Sequence, residues 1–219
     1  MKQEPGIIKA GGISLIISGI LFFVQYLFLL PLPAPPPVNA ELMAWLTDWR
    51  FNIVMADELF FFAALLLIPS IAALYSILVK VDKIKTVIGC GLLVIIIPIN
   101  ILLDIMLGRL VYPVYNIEFS PDIYKLIISI YYGGMHSVAI ILSMATIILS
   151  LAIRKSVLGK PAANLGFLAG LLDLIGAYPW LMGTAVIFVS QLFFSAWFVM
   201  LGIRILAGAG QMEGQSELS

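Results

Sequence analysis

Two aspartates stand where a charge is costly. Asp104 lies inside INILLDIMLGR (residues 99–109) and Asp173 inside GFLAGLLDLIG (residues 166–176), both stretches of Leu, Ile and Gly. A carboxylate at the centre of a lipid-embedded helix costs about 2.5–3.5 kcal/mol on insertion scales, so such residues need partners or a function. Other polar side chains sit in equally apolar surroundings: Glu58, Asn100, Tyr132, His136 and Gln191. Together they are candidates for binding a small solute or ion. The carboxylates would supply negative charge, the amides and phenol hydrogen bonds, and His136 the residue type that changes charge nearest neutrality.

Spacing groups them in part. Asn100 and Asp104 are four residues apart and share a helical face, with Pro98 just before them able to bend the helix. Tyr132, His136 and Ser143 share another face. Gly166, Gly170, Asp173 and Ala177 share a third, whose small residues allow close helix approach and turn Asp173 into a helix contact.

The elements that must position these residues are membrane helices. The chain of 219 residues is 62% hydrophobic and 11% charged, whereas a soluble domain carries about 25% charged residues. Apolar runs long enough to span a bilayer recur, without the alternation of a β-barrel. The reading is all-α: a polytopic bundle of six spans at about 7–30, 59–79, 86–107, 124–153, 165–180 and 184–206, in one domain over residues 1–206. A disordered cytoplasmic tail is expected at 207–219. The break between the last two spans is assigned to GAYPWLMG (residues 176–183), rich in Gly and Pro. PLPAPPPVNA, after the first span, reads as an extended strut. ELMAWLTDWRF then spaces Leu42, Trp45, Leu46 and Trp49 as a short amphipathic helix, with Trp45 and Trp49 as interfacial anchors.

Lysine and arginine counts set the orientation. With the N-terminus inside, nine lie on the cytoplasmic side (Lys2, Lys9, Lys80, Lys83, Lys85, Arg154, Lys155, Lys160, Arg204) and three outside (Arg50, Arg109, Lys125). That bias places both termini in the cytoplasm. On this topology the polar residues collect in the outer halves of the spans, as for a cavity that opens outward. Asp104 would form its lip and Asp173 its floor. Each group also has a structural reading: Asp104 as the partner of Arg109, Asp57 and Glu58 as first-turn acids favoured by the helix dipole, His136 as an interhelical hydrogen-bonding residue. The Phe60–Phe62 and Phe193–Phe194 clusters read as lipid contact or packing.

Several chemistries are excluded or unsupported. One histidine cannot ligate a haem from both sides, and neither a zinc-protease motif nor a phosphate-cradling loop is present. Cys90 is the only cysteine, which excludes an internal disulfide and a cysteine-based metal cluster. His136, Asp104, Asp173 and Glu58 are suitable metal ligands by type but have no diagnostic spacing. No cofactor or metal is expected. Equal numbers of basic and acidic residues, 12 each, give no surface for nucleic acid. The halves of the chain show no convincing internal repeat.

The two basic loops, AALYSILVKVDKIKTVIGCGLL (residues 72–93) and LSLAIRKSVLGKPAANLGFLAG (residues 149–170), and the opening KAGGISLIISGIL resemble an uncharacterised family of prokaryotic six-span integral membrane proteins. The proline-rich loop and the Trp45/Trp49 helix depart from that pattern. The resemblance implies a multi-pass protein of the plasma membrane and carries over no catalytic residues.

Three classes of function fit. The leading one is binding or translocation of a small polar solute, cation or proton through the cavity. The second is a non-catalytic scaffold of a larger membrane complex, with other membrane subunits or further copies of the chain as partners beside the lipid bilayer. The third is an intramembrane enzyme acting on a lipid or isoprenoid substrate, with Asp173 or Glu58 as general acid.

Overall fold

The computed structural model describes residues 5–117 and 119–216. Among them are seven α-helices and no strand: α1 (Pro5–Leu29), α2 (Asn39–Asp48), α3 (Arg50–Leu78), α4 (Lys83–Gly108), α5 (Pro121–Ile153), α6 (Gly159–Gly176) and α7 (Pro179–Ser216). Five of these, all but α2 and α6, are long and apolar enough to cross a membrane. The chain is thus a multi-pass helical membrane protein.

Local chemistry explains the boundaries. Prolines at 31, 33, 35, 36 and 37 lack the N–H that would continue α1. Asp82 caps α4 by accepting from the Lys85 backbone N–H at 3.2 Å, and its carboxylate also pairs with the Lys85 ammonium. Those two bonds hold Asp82 below the usual carboxylate range. Pro121 occupies the first turn of α5, where its missing N–H is harmless. The expected break at residues 176–183 is present: α6 ends at Gly176, a new helix starts at Pro179, and Gly183 interrupts it with φ 72°, a left-handed value that suits glycine.

Four expectations are corrected. The second span begins at Arg50, immediately after α2, so Asp57 and Glu58 lie two turns inside α3 and are not first-turn acids. Arg50, Asn52, Asp57 and Glu58 make this segment look like loop in sequence. Partners elsewhere offset that polarity; the Asn52 amide donates to the Phe28 carbonyl at 2.9 Å. Next, α6 runs from Gly159 and ends at Gly176, ahead of the expected 165–180. Its first turn is held by the Trp197 indole, which donates to the Ala162 carbonyl at 3.1 Å. Third, α7 continues to Ser216 where a disordered tail is expected from 207, because no proline interrupts it; residues 217–219 of that tail lie outside the described residues. Finally, Trp45 is directed into the protein, 7% exposed, and its indole donates to the Pro33 carbonyl at 3.1 Å. That bond fastens α2 to the proline-rich strut, while Trp49 packs half-buried on the core.

The six long elements close into a ring. α1 packs on α3, α3 on α4, α4 on α5, α5 on α6, α6 on α7, and α7 returns to α1; α2 lies against α3 and α5. Short connections make neighbours antiparallel, so one end of the ring carries the strut, α2 and the α6–α7 break. The other end carries the two basic loops.

Small residues set the helix spacing. A Cβ on Gly202 would lie 2.6 Å from the Gly12 carbonyl oxygen, and one on Gly11 would lie 2.5 Å from that of Pro69. Hydroxyls then bridge the close seams: Ser18 to Ala63 O (2.9 Å), Ser195 to Gly19 O (2.8 Å) and Ser143 to Gly170 O (2.7 Å). Such bonds are worth roughly 0.6 kcal/mol each on average within membranes, so close packing carries most of the association. Gly202→Ala is therefore expected to lower the melting temperature in detergent. Gly133→Ala, where nothing lies within 4 Å of the added methyl, should leave it unchanged.

Candidate functional site

A cavity lies on the ring axis, and every helix of the ring contributes to its wall. Its inner chamber, about 60 Å³, is bounded on its polar side by Gln25 (α1), Asn100 (α4), Asp173 (α6) and Gln191 (α7). The outer chamber, about 240 Å³, shares Gln25, Asp173 and Gln191 with it and extends past Tyr132 and His136 to the strut end. On this measure one water needs roughly 10–15 Å³, so the outer chamber has room for a solute of several heavy atoms.

Direction along the helices separates polar from apolar lining. Going inward, Gln25 is followed by Phe22, Asn100 by Ile96, Gln191 by Phe194, and Ala139 by Leu142. Phe22 stacks edge-on with Phe60 at 5.9 Å and with Phe194 at 6.2 Å. The cavity is thus polar toward the strut end and closed by an aromatic and aliphatic plug beneath. Phe60 and Phe194 belong to that plug, 2% and 3% exposed, while Phe62 faces outward.

Asp173 is the chemical centre. It is 3% exposed, and one carboxyl oxygen accepts from the Ser190 hydroxyl at 3.2 Å. The other has no partner, nor has the Asn100 side-chain oxygen. No Lys or Arg lines either chamber among the described residues. The small-residue face of α6 accounts for the placement: Gly166 faces Ser150 and Trp197, Gly170 faces the Ser143 carbonyl, and Asp173 follows on the same side. An acid with an uncompensated oxygen, surrounded by two or three amides, can hold a cation or a hydrogen-bond-donating solute.

His136 is fixed by the end of α6. Its Nδ1 lies 2.6 Å from the Ala177 carbonyl, one of the acceptors that a helix terminus leaves free. A carbonyl only accepts, so Nδ1 carries the hydrogen. The ring also meets Tyr178 edge-on at 4.9 Å.

Asp104 and Glu58 do not line the cavity. Asp104, 9% exposed, lies one turn before Gly108, where Asp57 of α3, 6% exposed, comes so near α4 that an added Cβ would stand 3.1 Å from its carboxylate. Arg109 is turned away, its guanidinium over the Phe119 ring at 4.7 Å, and makes no ion pair with Asp104. The lip-and-floor arrangement of Asp104 and Asp173 is therefore not what the fold builds; Asn100, one turn earlier on the same face, reaches the chamber instead. Glu58 is exposed and accepts from the Tyr112 phenol at 2.6 Å. Burial, and then that bond, push the Tyr112 phenol above the ordinary tyrosine range, so it remains a donor at physiological pH. Asp57, Glu58 and Asp104 form no group with metal-holding geometry, and no other such group occurs among the described residues.

Ser190 is the functional residue least visible in sequence, since it is 17 residues from Asp173 and on another helix. Its neighbour Gln191 was the only signal nearby. Comparison of the chain with protein-family models, with curated proteins and with solved structures gives no match; the site is read from its own geometry.

Ser190→Ala should leave Asp173 without any protein partner and lower stability by about 1–3 kcal/mol, the usual cost of an unsatisfied buried group. Adding Asp173→Leu to that variant should recover part of the loss. Thermal unfolding in detergent reads both changes.

Proposed function

We propose that this protein is a six-span protein of the plasma membrane whose outward-facing cavity binds, and in turnover translocates, a small polar solute, cation or proton. The observation that carries the reading is Asp173: a carboxylate on the ring axis with a free oxygen, amide neighbours and no basic partner. A purely structural acid at this depth would be satisfied on both oxygens or replaced without loss by an apolar residue.

In this reading α6 is also a span, the fifth of six. Its 18 residues rise about 27 Å at 1.5 Å per residue, close to the roughly 30 Å hydrocarbon core. The excess of lysine and arginine in the two basic loops over the strut end supports a cytoplasmic position for those loops. The strut end, and with it the mouth of the outer chamber, then faces outward. The plug of Phe22, Phe60 and Phe194 is the barrier on the cytoplasmic side, and passage requires it to part, as alternating access demands. The fixed α6–α7 break with its left-handed Gly183 is the irregular backbone beside the mouth, a place where membrane proteins tolerate it.

The scaffold and enzyme readings have less support. His136, the histidine of the outer chamber, is held at Nδ1 by the α6 terminus and not by the Ser190 hydroxyl that bonds Asp173.

The test is solute binding to the purified protein in lipid, screened over alkali cations and small primary amines by thermal shift and then calorimetry. A solute that stabilises the wild type should bind about 10- to 100-fold more weakly to Asp173→Asn, the worth of a hydrogen bond to a charged group. Asp173→Asn should itself stay folded. Equal binding by both proteins would remove Asp173 from the function.

A further inference from the structure

The axial cavity carries more than a preference of charge. Two of its buried acceptors lack a donor: one carboxyl oxygen of Asp173, 3% exposed, and the side-chain oxygen of Asn100, 2% exposed. They come from different helices, α6 and α4, and border the same inner chamber. Gln25 of α1 and Gln191 of α7 border it too, and each amide accepts through its oxygen. Buried acceptors without donors are costly, so a solute that brings N–H or O–H groups is favoured there.

Sign and number of charges come first. One carboxyl group, with no Lys or Arg in either chamber among the described residues, matches a single positive charge and repels anions. A neutral solute would leave the buried carboxylate uncompensated. A divalent metal would need more ligands of the acidic or histidine type, and no group able to hold one occurs among the described residues.

Donor count and shape then separate the monocations. A bare alkali ion must exchange its water shell for a cage of oxygens. Helical carbonyls are already engaged in their own ladders, which leaves the inner chamber the side chains of Gln25, Asn100, Asp173 and Gln191. A primary ammonium asks for less: it has three N–H donors, and Asp173, Asn100 and one glutamine supply three acceptors. A quaternary ammonium has no donor to give them. Asp173, Gln25 and Gln191 border both chambers, so a head group at their level has the outer chamber beside it. That chamber, about 240 Å³, is walled in part by Leu29, Leu32, Met135 and Ile187. Such a wall gains from contact with an alkyl chain and gains nothing from a hydrated ion.

We infer that the cavity binds a primary ammonium ion with a short alkyl body. Its N–H groups bond Asp173, Asn100 and a glutamine amide, and its carbons lie in the outer chamber. This rests on the cavity reading above and narrows it to one substrate class.

Calorimetry on the full chain in lipid nanodiscs tests it with four chloride salts: butylammonium, methylammonium, butyltrimethylammonium and potassium. Butylammonium should bind tightest. Methylammonium, three methylenes shorter, should bind roughly 60-fold more weakly, about 4-fold for each methylene no longer buried. Butyltrimethylammonium keeps the chain and the charge but has no N–H, and should bind about 10- to 100-fold more weakly than butylammonium. Asn100→Leu should weaken butylammonium by about 10-fold; the probe series is read on the wild type and stands even if that variant misfolds. Potassium binding tighter than butylammonium, or equal binding of the trimethyl probe, would overturn the ammonium assignment. So would failure of butylammonium to bind. The cavity reading itself falls only if no solute in the wider screen depends on Asp173.

Discussion

Closure of the helix ring depends on the seam where the first helix meets the last. α1 and α7 are the most distant long helices in sequence, and they touch because Gly12, Gly19 and Gly202 present no side chain there. Gly202 comes so near the Gly12 carbonyl that an added methyl would lie 2.6 Å from its oxygen, and a Cβ on Gly19 would lie 2.7 Å from Phe198. In lipid no hydrophobic gain drives helices together, so close van der Waals contact of this kind is the main source of association. With the seam shut, six helices surround an axis; with it open, Gln25 of α1 and Gln191 of α7 would no longer line one chamber.

A shut ring also explains where the polar residues can live. Asp173, Asn100, Gln25 and Ser190 are 5% exposed or less, and all of them point to the axis or to a helix seam. Phe51, Ile68, Ile84 and Leu181 are among the outward residues exposed by more than half, which is the pattern of a protein whose solvent is lipid. The distribution along the axis is equally uneven. Amides, acids and the histidine occupy the strut end, and Phe22, Phe60, Phe194 and Leu142 fill the level below. The cavity is thus polar at the strut end and closed by apolar side chains below.

Much of this was legible in sequence, for identifiable reasons. Long apolar runs and Gly–Pro punctuation located the helices, because membrane spans need about 20 apolar residues and prolines remove a donor. The α6 face of Gly166, Gly170 and Asp173 was readable from helical period alone. The surroundings of Asp104 were not. Residue spacing favoured Arg109, five positions on, whereas the fold stacks Arg109 on Phe119 and brings Asp57 from α3 up to Gly108, across a seam that no period encodes. The same blindness moved the start of α3: Arg50, Asn52, Asp57 and Glu58 look like loop until Phe28, Gly108 and Tyr112 arrive as neighbours. Trp45 was misplaced for a related reason, since its burial depends on α3, α5 and the strut packing over it.

The most direct test of the account is the sidedness of access to the ring axis. Single cysteines can be introduced at Ala139 and Thr184, which line the chambers, and at Leu102, which is 52% exposed on the outer wall of the ring. Cys90, the only native thiol, is buried. With a membrane-impermeant thiol reagent, the account predicts labelling at residues 139 and 184 from the outer face of sealed vesicles and none at residue 102 from either face. Labelling at 139 from the cytoplasmic face alone, or no labelling at either axial position while residue 102 reacts, would contradict an outward-opening cavity on the axis of this ring.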